Sequence, residues 1–200
     1  MAYRIYTTDS FVIKNSPSKD ADVSLLLFTE QFGLLYAAAK SARAGMSKLK
    51  ASLQTTNFSS ISMVKGREVW RVTNAKKHIA LYDKRIPPEL RICFVHLLEH
   101  IARFCPKEVP ESEIFSDLKS IAAFIFLEFA LLQSPEYIFA CEQWFLLRLL
   151  YNLGYIQSTD TVYQILMQTI SHEQLSYLVD ESVSQGVQKI IEHAIAQSHL

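Results

Sequence analysis

The stretch Phe58-Ser-Ser-Ile-Ser-Met-Val-Lys65, then Gly66-Arg67, then Glu68-Val-Trp-Arg-Val-Thr-Asn74 decides the fold. Its first arm alternates apolar with small polar residues, and its second sets Trp70 and Val72 against Val69 and Arg71. Period-two alternation on both sides of a glycine turn is the pattern of an antiparallel hairpin with one buried face. Upstream, three more β-rich runs end at turn signals. Arg4 to Lys14 is closed by Asn15-Ser-Pro-Ser, Asp22 to Glu30 follows, and Gly33 turns the chain into Leu34 to Lys40. A polar stretch, Ser41 to Lys50, separates these from the hairpin. Five strands within about 75 residues, mostly antiparallel, suit a small closed barrel that removes its own edges.

Downstream of Pro87-Pro88 the period changes. Leu90, Phe94, Leu97, Ile101 and Phe104 recur at spacings of four and three, one helical stripe stopped by Pro106 and Pro110. A second helix runs from Ser112 to about Gln133 and is apolar nearly all round after Ile121, as expected of the central member of a bundle. Pro135 suits the start of a third helix and Gly154 its end. Ser158, Thr159 and Asp160 offer caps for a fourth, and Ser171-His-Glu-Gln174 reads as a capping box for a fifth. A last amphipathic helix covers Ser182 to Gln197. The expected class is therefore α+β: a five-stranded barrel domain over residues 1–80 and a helical domain over 84–200.

Charge divides at the same place. Net charge is zero, yet residues 1–80 hold twelve Lys and Arg against five Asp and Glu, and the remainder holds eight against fifteen. A basic barrel joined to an acidic bundle points to a polyanion partner for the first half. Cations and aromatics interleave there: Lys14, Lys65, Arg67, Trp70 and Arg71 join the acid-free run Lys40, Arg43, Lys48 and Lys50. Cations that follow phosphates and aromatic faces that stack on bases are what single-strand binding requires.

Other chemistry has thinner support. Five glycines leave little material for a phosphate-cradling loop, and no nucleophile motif occurs. Cys93, Cys105 and Cys141 sit among apolar residues at wide spacing, as inert thiols in a reducing compartment would. His96-Leu-Leu-Glu99-His100 matches the H-x-x-E-H pattern of inverted zinc peptidases but lacks an evident third ligand, Glu128 and Glu142 being isolated. A zinc peptidase and a helical protein-interaction adaptor are the alternatives to nucleic-acid binding. The longest apolar run, Ile121 to Leu132, is too short to span a bilayer, and the N-terminus has no secretory pattern. A soluble cytoplasmic protein, associated with the nucleoid and not with a membrane, is expected.

The order of features resembles one family. Thr8-Asp-Ser-Phe-Val-Ile-Lys14, Lys19-Asp-Ala-Asp22, Leu27-Phe-Thr-Glu-Gln-Phe-Gly33, Ala39-Lys-Ser-Ala-Arg43, Ser47 to Gln54 and Gly66 to Thr73 are similar to the bacterial RecO recombination-repair proteins. So is Phe145-Leu-Leu-Arg-Leu-Leu-Tyr-Asn-Leu-Gly-Tyr155 in the helical half. The resemblance implies an N-terminal OB-fold before a helical domain, and a recombination mediator that is not an enzyme. It further implies binding of single- and double-stranded DNA, annealing of complementary strands, and partnership with RecR and single-strand binding protein in loading RecA. Lys40 and Arg43 match the family's Lys-Gly-Ala-Arg segment, with Ser41 standing where Gly is usual, and Lys48 and Lys50 match the basic stretch after it. The four-cysteine zinc motif of many members is missing, since residues 156–200 contain no cysteine; no zinc or other cofactor is expected.

Overall fold

The computed structural model describes residues 4–44, 47, 49–81, 83–128, 132 and 134–198. The chain divides into two compact units, residues 1–83 with 105–112, and residues 84–104 with 113–200.

The first unit is built on five strands: β1 (Ile5–Pro17), β2 (Val23–Thr29), β3 (Gly33–Ala39), β4 (Asn57–Lys65) and β5 (Trp70–Ala80). They close in the order β1-β2-β3-β5-β4. All pairs are antiparallel except β3 with β5, which meet in parallel at Ala37–Trp70 and Ala38–Arg71. A five-stranded closed sheet of this order is the OB-fold. Alternation fills its interior with Val12, Leu25, Leu27, Leu35, Ala37, Ile61, Met63 and Val72, all buried. The short helix α1 (Leu49–Ser52) precedes Leu53, which joins that core. Side chains tie this segment to the barrel: Asn15 donates to the Leu53 carbonyl at 2.6 Å and Ser59 to that of Ser52 at 2.8 Å.

Two features differ from the sequence expectation. Strand β5 continues six residues past Asn74, because β4 still offers partners there, Ser60 to Lys76 and Asn57 to Ala80. The run Asn74-Ala-Lys-Lys-His78 is too polar to read as a strand by itself. Residues 105–112, which contain the helix-stopping Pro106 and Pro110, form a strap that belongs to the barrel unit. Its Lys107 makes a parallel bridge to Leu34, and the Glu108 N–H donates to the Leu34 carbonyl at 2.8 Å.

The second unit holds α2 (Pro88–Phe104), α3 (Ser112–Glu128), α4 (Pro135–Asn152), α5 (Asp160–Leu166), α6 (His172–Val179) and α7 (Glu181–Gln197). The α2 stripe is buried throughout. Caps form where side-chain chemistry allows them: Ser134, Thr159 and Ser171 each accept an N–H three residues on, and Pro135 opens α4. At the far end of α4, Gly154 (φ +80°) donates to the Tyr151 carbonyl and Tyr155 to that of Leu150, a complete Schellman motif. The expectation that the second helix is central is corrected: α4 packs against α2, α5, α6 and α7. In α3 the apolar excess emerges on the surface, where Leu127 is 72% exposed. On α4 the two mid-helix charges, Glu142 and Arg148, have partners on neighbouring helices, so neither is left buried and unpaired. Among the described residues no helix is long and apolar enough to cross a membrane.

Candidate nucleic-acid interface

Strand register builds one outward row across the barrel. Lys14 of β1 pairs with Leu26 of β2, and Leu26 with Tyr36 of β3. Lys14 and Tyr36 are exposed, Tyr36 by 50%. Their inward neighbours Leu25, Leu27, Leu35 and Ala37 fill the core. Simple alternation from the buried Val12 would point Lys14 inward. A β-bulge between Val12 and Lys14 absorbs one residue and turns Lys14 to the outer face. In the next row Ser16, Ser24, Ala38 and the exposed Arg71 lie side by side. Small side chains thus share the row of Arg71, beside the row of Lys14 and Tyr36. The strap adds a cation from a distant part of the chain: Lys107 Nζ lies 5.0 Å from the Tyr36 ring centroid.

The residues expected from sequence are distributed unevenly about this face. Lys40, Lys50 and Arg67 are exposed; Lys48 lies outside the described residues. Arg43 shares with Lys50 a depression of about 250 Å³ also lined by Asn15 and Gln54. Its guanidinium is already engaged, donating to the Ser18 and Asp20 carbonyls of the β1–β2 loop. Beside it Ser41 takes φ +52°, the left-handed region that suits glycine, with its N–H held by Asp22 Oδ1 at 2.7 Å. Arg43 is therefore first a clamp on the exposed β1–β2 loop.

Trp70 requires a correction. It is only 4% exposed, packed at 5.5 Å against Tyr6 and 4.9 Å against Phe32, so no base can stack on it. Its Nε1–H donates to Glu108 Oε1 at 3.3 Å, and Lys65 lies 5.2 Å over its ring and 3.1 Å from Glu108 Oε2. Lys65 is thus partly neutralised. The exposed aromatic that sequence reasoning passed over is Tyr36. Its signal was present, since it stands out of phase with Leu35 and Ala37. Lys76 and Lys77 on β5 are also exposed, and Lys107 is placed by tertiary structure alone.

The histidine string of α2 meets a different carboxylate from the one in its motif. Glu142 Oε1 of α4 lies 3.4 Å from His96 Nδ1 and 3.6 Å from His100 Nε2, while Glu99 is exposed. Those contacts, the hydrogen bond from His100 first, hold the Glu142 carboxyl below its ordinary value of 4.5 against the opposing effect of burial. Among the described residues no group of three His, Cys, Asp or Glu could hold a metal ion. Burial, with Glu111 nearby, pushes the Cys105 thiol up to about 12, and the Cys93 contact and burial raise Cys141. Neither is a thiolate nucleophile near neutral pH.

The first unit coincides with a known domain. The family model "Recombination protein O N terminal" matches residues 1–78. The DNA repair protein RecO of Thermodesulfovibrio yellowstonii is 30% identical over 112 residues, 55% of this chain and 44% of that protein. Residues 1–78 thus match the N-terminal domain of the RecO proteins, and the similarity of the chain to RecO proteins runs beyond them. RecO of Dehalococcoides mccartyi extends the similarity into the helical unit, with 25% identity over 150 residues, 75% of this chain and 56% of its own. RecO of Clostridium novyi is 28% identical over 125 residues, 62% of this chain and 48% of its own. The chain thus spans about half the length of the RecO relatives it matches.

Proposed function

We propose that this chain is a DNA-repair protein of the recombination-mediator class, without enzymatic activity, acting in the cytoplasm at the nucleoid. Its barrel binds single- and double-stranded DNA and anneals complementary strands. With RecR it assists the loading of RecA onto strands coated by single-strand binding protein. The observation that carries this reading is the outer face of the RecO-type barrel, where exposed Tyr36 lies in one row with Lys14, under Lys107 and one row from Arg71. An aromatic face set among cations holds a strand by stacking and charge without reading its sequence. Two strands so held keep their base edges free, which is what annealing needs.

The test is fluorescence anisotropy of a labelled oligo-dT titrated with the protein over a series of salt concentrations. Four or five phosphate contacts from Lys14, Lys40, Lys50, Arg71 and Lys107 give an expected salt slope of about −3. Absence of binding at low salt would overturn the reading.

A further inference from the structure

Trp70 is excluded as a stacking platform, and its indole N–H is what remains to be explained. That donor is fixed: Tyr6 and Phe32 wedge the ring from two sides, so Nε1–H points at one place. There it meets Glu108 Oε1 at 3.3 Å, while Lys65 Nζ meets the other carboxylate oxygen, Oε2, at 3.1 Å. The neighbouring strap residue Lys107 stands over Tyr36, in the proposed strand path. Two donors on two oxygens of a single anion, within a face otherwise rich in cations, is the arrangement that receives a phosphodiester through its two non-bridging oxygens.

We infer that Lys65 Nζ and Trp70 Nε1–H form a one-phosphate subsite that the Glu108 carboxylate fills when no strand is bound. The inference rests on the DNA-binding reading above. Glu108 is suited to leave. Its side chain is 51% exposed and that of Lys65 60%, so the pair is a solvent-screened contact that a phosphate can displace. The Glu108 backbone is held separately, at φ +55° with its N–H on the Leu34 carbonyl, so the carboxylate can swing out while the strap and Lys107 stay in place. The strap then serves two purposes, supplying a cation to the strand at Lys107 and withholding a phosphate subsite at Glu108 from weaker anions.

The experiment compares the whole wild-type chain with Glu108→Gln and Glu108→Asn in the oligo-dT titration across salt. Asparagine tolerates the left-handed backbone and is too short to reach both donors, so it guards against a fold defect in the first variant. Thermal melts verify that each variant is folded. Both are expected to bind about three- to tenfold more tightly at low salt, because the strand no longer has to displace a carboxylate from the two donors. Lys65→Gln added to Glu108→Gln should abolish the gain. Glu30→Gln, which removes another exposed acid of the same unit, should give little of it. An unchanged affinity in both Glu108 variants, while the wild type binds, would overturn the inference and leave the DNA reading standing. So would an equal gain from Glu30→Gln, since the effect would then be general charge. Failure of wild type and variants alike to bind would overturn the DNA reading and this subsite with it.

Discussion

The ammonium of Lys107 stands 5.0 Å from the centroid of the Tyr36 ring, so a residue of the strap and one of β3 form a single surface. Replacing Tyr36 by Ala removes a half-exposed ring, not a core one. Single-strand affinity should fall by about 1–3 kcal/mol, as for loss of one stacked base. Tyr36→Phe should retain most of it. Anisotropy with oligo-dT checks both, and a melting temperature close to wild type would show that the effect lies in binding.

Arg43 and Lys50 line the same depression but have different work. Lys40→Gln with Lys50→Gln removes two exposed cations and should flatten the salt slope by about 1.4, two phosphate contacts. Arg43→Ala removes the donor to the Ser18 and Asp20 carbonyls. It should lower stability by about 0.5–1 kcal/mol, since water can replace these exposed bonds. Chemical denaturation beside the salt titration separates the two outcomes.

Gly33 and Gly186 make a contrasting pair. At Gly33, φ +65°, an added Cβ would lie 1.8 Å from the Val109 carbonyl oxygen, so Gly33→Ala must displace the strap. A loss of at least about 2 kcal/mol is expected. At Gly186, within α7, nothing lies within 4 Å of an added Cβ. Gly186→Ala should stabilise the chain by about 0.5–1 kcal/mol. Thermal or urea unfolding reads both signs.

Within the helical unit, Arg148 Nε donates to Asp117 Oδ2 at 2.8 Å, its guanidinium lies 4.8 Å over Trp144, and it also donates to the Leu166 carbonyl. Both side chains are largely buried, at 14% and 9% exposure. Burial raises the Asp117 carboxyl above its ordinary 3.8, with Arg148 opposing the rise. Asp117→Ala strands the guanidinium and should cost about 3 kcal/mol. Adding Arg148→Met should recover part of that loss in a denaturation series.

Glu142 gives the unit a pH dependence of known sign. Its folded-state carboxyl is held below 4.5 by His100 and His96. Its contribution is therefore complete above that value and is lost as pH falls through the lower folded value. Glu142→Gln should flatten the acid limb of a stability–pH curve below the ordinary carboxyl value of 4.5. Superimposable acid limbs for the two proteins would contradict this.

Local pattern determined much of this protein. Alternation in Phe58 to Asn74 and the four-and-three stripe from Leu90 separate barrel from bundle, and Pro135, Thr159 and Ser171 start helices and Gly154 ends one by chemistry internal to their own segments. Such signals survive in sequence because each acts within a few residues of itself. Tertiary structure decided what depends on neighbours far along the chain. Pairing with β4 carries β5 to Ala80, and a bulge at Ile13 turns Lys14 outward. Trp70 is buried by Tyr6 and Phe32, and Lys107 and Glu108, counted by sequence with the acidic half, lie on the basic barrel. Composition states which residues are apolar or charged; only the closed barrel decides which of them share a face, because that depends on contacts between residues tens of positions apart.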